Sequence, residues 1–198
     1  MKADVVLVDA GGTNIGSVRY ALQRLGVDAA LSSDAKKIRS ATHVILPGVG
    51  AAAPGMFRLR AAHMVETLRR LTQPVLGVCL GMQLLFDHSE EDDTECLGIV
   101  PGNVRHFPQS DKLRVPHMGW NSVCVDKTNP LLGEDTSDSR AYFVHSYAAP
   151  TNDFTIARTN YGTDFAAAVQ RDNFFGVQFH PERSSSFGAR VLQNFLAL

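Results

Sequence analysis

A cysteine that closes an apolar run and a histidine two residues before a glutamate are the residues here able to do chemistry together. Cys79 lies in Val75-Leu76-Gly77-Val78-Cys79-Leu80-Gly81-Met82-Gln83, a strand-like stretch that passes into a helix-like one. A nucleophile on a sharp strand-to-helix turn needs neighbours without a Cβ, and Gly77 and Gly81 stand on either side of it. Unpaired N–H groups and the positive end of the following helix would favour thiolate over thiol. The same residues also admit a buried structural cysteine. A nucleophilic thiol needs a base, and His180-Pro181-Glu182 offers an imidazole with a carboxylate two residues on, 180 − 79 = 101 residues after the cysteine. An extended backbone there would put both side chains on one side. The carboxylate would then fix the tautomer of the imidazole and leave its other nitrogen for the thiol. Alone, Glu182 could merely favour the start of the last helix. Of the other histidines, His43 and His63 read as structural or solvent-facing, and His88 and His106 as surface residues.

The elements that would position these groups follow βαβ grammar in the first half. Asp4 to Asp9 is β-rich, and Ser17 to Leu25 has helical spacing, with Val18, Ala21, Leu22 and Leu25 on one face. Strands follow at Asp28 to Leu31, His43 to Leu46 and Val75 to Val78. Helices are expected over Met56 to Leu71 and Leu80 to Phe86. The pattern predicts an α/β fold with a mostly parallel sheet flanked by helices. Ligands of such sheets bind at the carboxyl ends of the strands, which makes Pro47-Gly48-Val49-Gly50 and Cys79 neighbours. From about Leu97 the pattern changes to short strands, over Ser122 to Val125, Ala141 to Tyr147, Phe154 to Thr159, Ala166 to Gln170 and Phe174 to Phe179. These predict a smaller antiparallel or mixed extension. Asn129 to Ser139 reads as a loop, and Phe187 to Leu196 as an amphipathic helix with Val191, Leu192 and Phe195 inward.

Composition narrows the function classes. The 198 residues, 44% hydrophobic, suffice for one domain over 1–198. A formal net charge of −1 without a dense basic run argues against a nucleic-acid partner, and no apolar segment reaches membrane-spanning length. Met1 to Asp9 lacks the features of a secretory signal, so a cytoplasmic location is expected. Cys79, Cys96 and Cys124 are too few and unevenly spaced for a disulfide framework, and no C-x-x-C pair suggests zinc. Neither a metal nor a cofactor is expected.

Together, Pro47-Gly48-Val49-Gly50, Gly77-Val78-Cys79-Leu80-Gly81-Met82-Gln83 and Phe179-His180-Pro181-Glu182 resemble the triad-type, class I glutamine amidotransferases. The resemblance implies their flavodoxin-like fold and a Cys79, His180 and Glu182 triad that hydrolyses glutamine to glutamate and ammonia through a thioester. Within the family, Pro116-His117-Met118-Gly119-Trp120-Asn121 and Tyr142-Phe143-Val144-His145-Ser146-Tyr147 are similar to glutaminase subunits of the histidine pathway, and the length suits a free-standing subunit. That branch implies a heterodimer in which a separate cyclase subunit receives the ammonia. Glutaminases of anthranilate, aminodeoxychorismate or purine synthesis share the triad motifs, and an idle binding module on the same fold is the non-enzymatic alternative.

By the same resemblance, backbone N–H groups of Val49 and Leu80 would stabilise the oxyanion, with glycines at 48 and 50 letting that loop approach or flip. Gly50, Gln83, Glu91, Ser146 and Tyr147 would hold glutamine, Glu91 by pairing with its α-ammonium group. The acidic run around Glu91 also reads as a solvated loop, and Gln83 as helix surface. Asn14, His117, Trp120, Asn121, Tyr142 and Arg183 would lie at or near the cyclase interface, although a lone tryptophan is also a common core residue. Two departures stand out. Arg183 follows His-Pro-Glu where many relatives carry lysine, and Asp9-Ala10-Gly11-Gly12-Thr13 is looser than the usual first glycine loop.

Overall fold

The computed structural model describes residues 3–9, 15–108, 113–133 and 139–198. The first half winds through β1 (Val5–Val8), α1 (Ile15–Arg24), β2 (Ala30–Ser32), α2 (Ala35–Ser40), β3 (His43–Gly48), α3 (Ala52–Ala61), α4 (Val65–Arg69), β4 (Val75–Cys79) and α5 (Leu80–Gln83). Short strands follow: β5 (Phe86–Ser89), β6 (Thr94–Glu95), β7 (Val100–His106), β8 (His117–Ser122), β9 (Cys124–Val125), β10 (Arg140–His145) and β11 (Tyr147–Ala148). β12 (Thr155–Asn160), β13 (Asp164–Arg171), β14 (Phe174–Val177) and α6 (Ser185–Leu196) complete the chain.

The main sheet runs β2-β1-β3-β4-β14-β13-β12-β9. Its first five strands pair in parallel, and β14, β13, β12 and β9 continue it antiparallel. β1, β4 and β14 are buried throughout, as continuous apolar runs covered on both faces must be. One core packs α1 and α6 on one face through Val18, Leu22, Val191, Leu192 and Phe195. The other packs α2, α3 and α4 opposite through Ile38, Met56, Leu59 and Leu68. The strand pair that matters for chemistry is β4 with β14, in register from Val75↔Phe174 to Val78↔Val177. It brings the end of β4 beside the chain leaving β14, across the long gap between Cys79 and His180.

Several elements differ from the sequence expectation. The helix expected over Met56 to Leu71 is two helices, because the chain turns at His63 with φ 54. There Met64 N–H donates to Leu59 O and His63 N–H to Arg60 O, a left-handed cap closed without the usual glycine. The helix expected over Leu80 to Phe86 stops after one turn, and Phe86 starts β5 by pairing with Val100. β5, β6 and β7, which lie before β8 and form a small sheet with β11 in the order β11-β7-β5-β6, were not expected, and β8 and β10 form a separate two-stranded ribbon. The expected strands Ser122 to Val125 and Ala141 to Tyr147 are each divided, at Val123 and at Ser146. Of the expected loop, Asn129 to Gly133 forms a turn closed by Gly133 N–H to Asn129 O, and 134–138 lies outside the described residues.

Candidate active site

Cys79 ends β4 with φ 53 and ψ −111, a conformation L side chains rarely adopt. Close packing around the turn imposes it. A Cβ at Gly77 would lie 2.6 Å from Gly81 O, one at Gly48 would lie 2.8 Å from Gly81 N, and one at Gly81 would overlap the Leu46 carbonyl oxygen. The three glycines let β3, β4 and the start of α5 close on one another around the cysteine. α5 has only four residues, so it contributes local N–H groups rather than the dipole of a long helix. Leu80, its first residue, has no intrahelical acceptor for its N–H. Gly48 pairs with Cys79 in register, so Val49 follows directly beside the sulfur. Gly50 has φ 98, a backbone conformation that favours glycine, although a Cβ there would meet no atoms.

His180 is held just beyond β14. Its N–H donates to Tyr142 O at 2.9 Å, and its carbonyl accepts from Ser184 Oγ at 2.7 Å. Pro181–Arg183 is a 3₁₀ turn rather than the extended segment expected, and the turn swings Glu182 back under the ring. His180 Nδ1 and Glu182 Oε1 are 2.9 Å apart, with side chains 4% and 0% exposed. A carboxylate only accepts, so Nδ1 carries the proton. The buried Nε2 has no hydrogen bond of ordinary geometry and is left for the Cys79 sulfur. Burial alone would lower the pKa of the imidazole, but the Cys79 and Glu182 side chains outweigh it and push it up to about 10. The ring therefore holds both protons at neutral pH.

A cavity of about 300 Å³ opens over the sulfur. Its walls include Val49, Gly50, Cys79, Leu80, Gln83, Glu91, Ser146, Tyr147 and His180, all given site roles from sequence, together with Pro116, Val144 and His145, which belonged to the quoted motifs but were given none. Glu91 is not a free loop carboxylate, because its Oε2 accepts the Ala52 N–H at 2.8 Å at the start of α3. Burial raises its pKa and that N–H lowers it. Gln83 is not helix surface: it is 5% exposed, and its Nε2 donates to Tyr147 O at 2.8 Å and Gln178 Oε1 at 3.0 Å.

A family model described as glutamine amidotransferase class-I matches residues 6–198. Over 98% of both chains, the sequence is 55% identical to the imidazole glycerol phosphate synthase subunit HisH of Xanthomonas axonopodis pv. citri (strain 306). It is 52% identical, at the same coverage, to HisH of Xylella fastidiosa (strain Temecula1). The chain belongs to the HisH family of class I glutamine amidotransferases. The amidotransferase fold is shared with a solved glutamine amidotransferase at TM-score 0.75 and 18% identity, covering 98% of this chain and 97% of that one. The PurLQS structure from Thermotoga maritima matches at TM-score 0.72 and 19% identity, covering 100% and 99%.

The residues expected near the amidotransferase's partner divide between two sides of the β8–β10 ribbon. Trp120 is 49% exposed beside the exposed Met118, and its ring meets Tyr142 edge-on at 6.3 Å. Arg183 is exposed and Asn121 half-buried. His117 is buried behind the ribbon, stacked on Phe143 and Tyr161. Its Nδ1 lies 3.1 Å from His145 Nε2, and His145 Nδ1 lies 2.8 Å from Tyr147 O. Burial pushes these imidazoles down, His117 to about 4 and His145 to about 3, so both are neutral at neutral pH. Asn14 and 10–13 of the first glycine loop lie outside the described residues. Sequence reasoning missed His145, Pro116, Val144 and the buried Gln178. The quoted runs Tyr142 to Tyr147 and Pro116 to Asn121 held the first three, whereas nothing local singles out Gln178.

Proposed function

We propose that this chain is the glutaminase subunit of an imidazole glycerol phosphate synthase, hydrolysing L-glutamine and passing the ammonia to a cyclase partner in histidine biosynthesis. The meeting of Cys79 and His180 at one small cavity, with Glu182 held behind the imidazole, carries the reading, and the identity to HisH proteins supports the pathway. The Cys79 thiolate attacks the side-chain amide carbon of glutamine. His180 Nε2–H gives its proton to the departing ammonia, leaving a glutamyl thioester. The neutral ring then takes a proton from water, whose attack releases glutamate and returns the sulfur. Glu182 holds Nδ1–H throughout. The backbone N–H groups of Val49 and Leu80 meet the oxyanion, each worth roughly 3 kcal/mol to the transition state.

Gly50, Gln83, Ser146 and Tyr147 hold the substrate, and Glu91 pairs with its α-ammonium group. A 300 Å³ cavity is of the size that suits an amino acid. The cyclase covers the ribbon bearing Trp120, Tyr142 and Asn121, together with Arg183 and Asn14, and His117 backs that surface. The exposed pair Met118 and Trp120 supports this surface as the partner's. The 198 residues act as one domain, supported by a main sheet that joins strands from both halves of the chain. Neither metal nor cofactor enters this chemistry. Among the described residues no helix is long and apolar enough to cross a membrane, and the cytoplasm is the proposed location. An electrophilic glutamine analogue added to the reconstituted complex tests the reading. Peptide mass spectrometry should find it on Cys79; an intact complex with Cys79 unlabelled would point to the idle binding module.

A further inference from the structure

Gln178 is wholly buried one residue past β14, and its Nε2 lies 3.7 Å from Cys79 Sγ. Which end of this carboxamide faces the sulfur is settled by the bonds around it. Tyr147 O, a carbonyl that only accepts, is contacted by Gln83, so the Gln83 atom there is its amide nitrogen. That nitrogen also contacts Gln178, which must therefore present Oε1 to it. The remaining end of Gln178, the N–H₂ group, points at the sulfur. Turning either amide over would set two donors or two acceptors against each other. The backbone is fixed as well, since Gln178 N–H donates to Ala167 O at 2.9 Å.

We propose that Gln178 is a further catalytic residue of the glutaminase, a hydrogen-bond donor to the Cys79 sulfur aimed through Gln83 by the Tyr147 carbonyl. The proposal rests on Cys79 being the nucleophile. A donor gains most from a charged acceptor, so an amide N–H at the sulfur favours the thiolate over both the thiol and the thioester. It acts twice in the cycle. Before attack it supports the anionic sulfur from the side opposite in role to His180, without giving up a proton. When the second tetrahedral intermediate collapses, the C–S bond breaks, its electron pair returns to sulfur, and the same N–H meets the departing thiolate. Packing alone would be served as well by an apolar side chain in a wholly buried position.

Alkylation of the full-length protein with iodoacetamide across a pH series reads the thiolate directly, with peptide mass spectrometry separating Cys79 from Cys96 and Cys124. In Gln178→Met the Cys79 rate at pH 7 should fall about tenfold, with the inflection of the profile moved upward. Gln178→Glu keeps an acceptor for Gln83 and sets a carboxylate oxygen against the sulfur, so it should move the inflection further the same way. A folded Gln178→Met protein with the wild-type profile overturns the proposal. If that variant does not fold, the side-chain amide signals of Gln178 in the wild-type protein decide. They should shift at the Cys79 inflection, and signals that stay fixed through it overturn the proposal. An altered alkylation profile in a chain that releases no ammonia from glutamine would instead count against the glutaminase reading.

Discussion

His180 is useful because its two neighbours act on opposite nitrogens. Glu182 holds Nδ1–H at 2.9 Å, and the Cys79 sulfur faces Nε2. Replacing Glu182 by Gln removes the charge that stabilises the imidazolium while keeping the shape. Glutamine-dependent synthesis should drop at least about a hundredfold, with ammonia-dependent synthesis by the complex unchanged. A linked effect appears in stability. The folded pKa of His180, about 10, lies above its ordinary 6.5, so this ring keeps its proton in the native state through a range in which the same ring in the unfolded chain releases it. The stabilisation is full below pH 6.5 and is lost as pH rises toward 10. Urea unfolding across that range should show the decline, flattened in Glu182→Gln. At this scale the sequence was legible where a residue type announces chemistry: a glycine-flanked cysteine and a histidine beside a proline and an acid. Gln178 was not, because its partner on β4 is set by strand pairing across about a hundred residues.

The turn around Cys79 depends on missing side chains more than on present ones. Gly81 packs so closely under β3 that any Cβ would overlap Leu46 O. Gly81→Ala should therefore destabilise the fold by about 3 kcal/mol or more, measured by chemical denaturation, and carry activity down with it. Gly50→Ala meets no atoms and should cost only the strain of its positive φ, about 1–3 kcal/mol. Elements with clean periodicity were legible. α1 and α6 bury the residues their spacing indicates, Val18, Ala21 and Leu22 in one and Val191, Leu192 and Phe195 in the other. The break between α3 and α4 was hidden because histidine takes the left-handed cap position where glycine would have signalled it. β5 was hidden because a helix-like apolar spacing runs on past the single turn of α5, and its pairing with β7 is tertiary.

On the scale of the molecule, the main sheet brings the site together and a separate ribbon offers the proposed assembly surface. The β4–β14 seam joins Cys79 to His180, and the β8–β10 ribbon has its inner end in the cavity wall and its outer face exposed. Two residues named together from sequence should then behave differently. Trp120→Ala should weaken binding of the cyclase by about 2 kcal/mol and leave the isolated chain as stable as before. His117→Ala should destabilise the isolated chain by about 3 kcal/mol, because it empties a stacked aromatic cluster. Titration calorimetry and thermal unfolding separate the two. The parallel first half of the sheet was legible in the sequence, and so was its meeting with the site loops. An antiparallel or mixed extension by the second half was legible too, but that β14 joins it to β4 in parallel was not, since short strands do not reveal which edge they pair with.

The central claim is that Cys79 makes the ammonia the partner consumes. Cys79→Ala, reconstituted with the cyclase subunit, should lose glutamine-dependent synthesis entirely while synthesis from added ammonium salt proceeds at the wild-type rate. Glutamine-dependent synthesis that persists in Cys79→Ala would contradict the account.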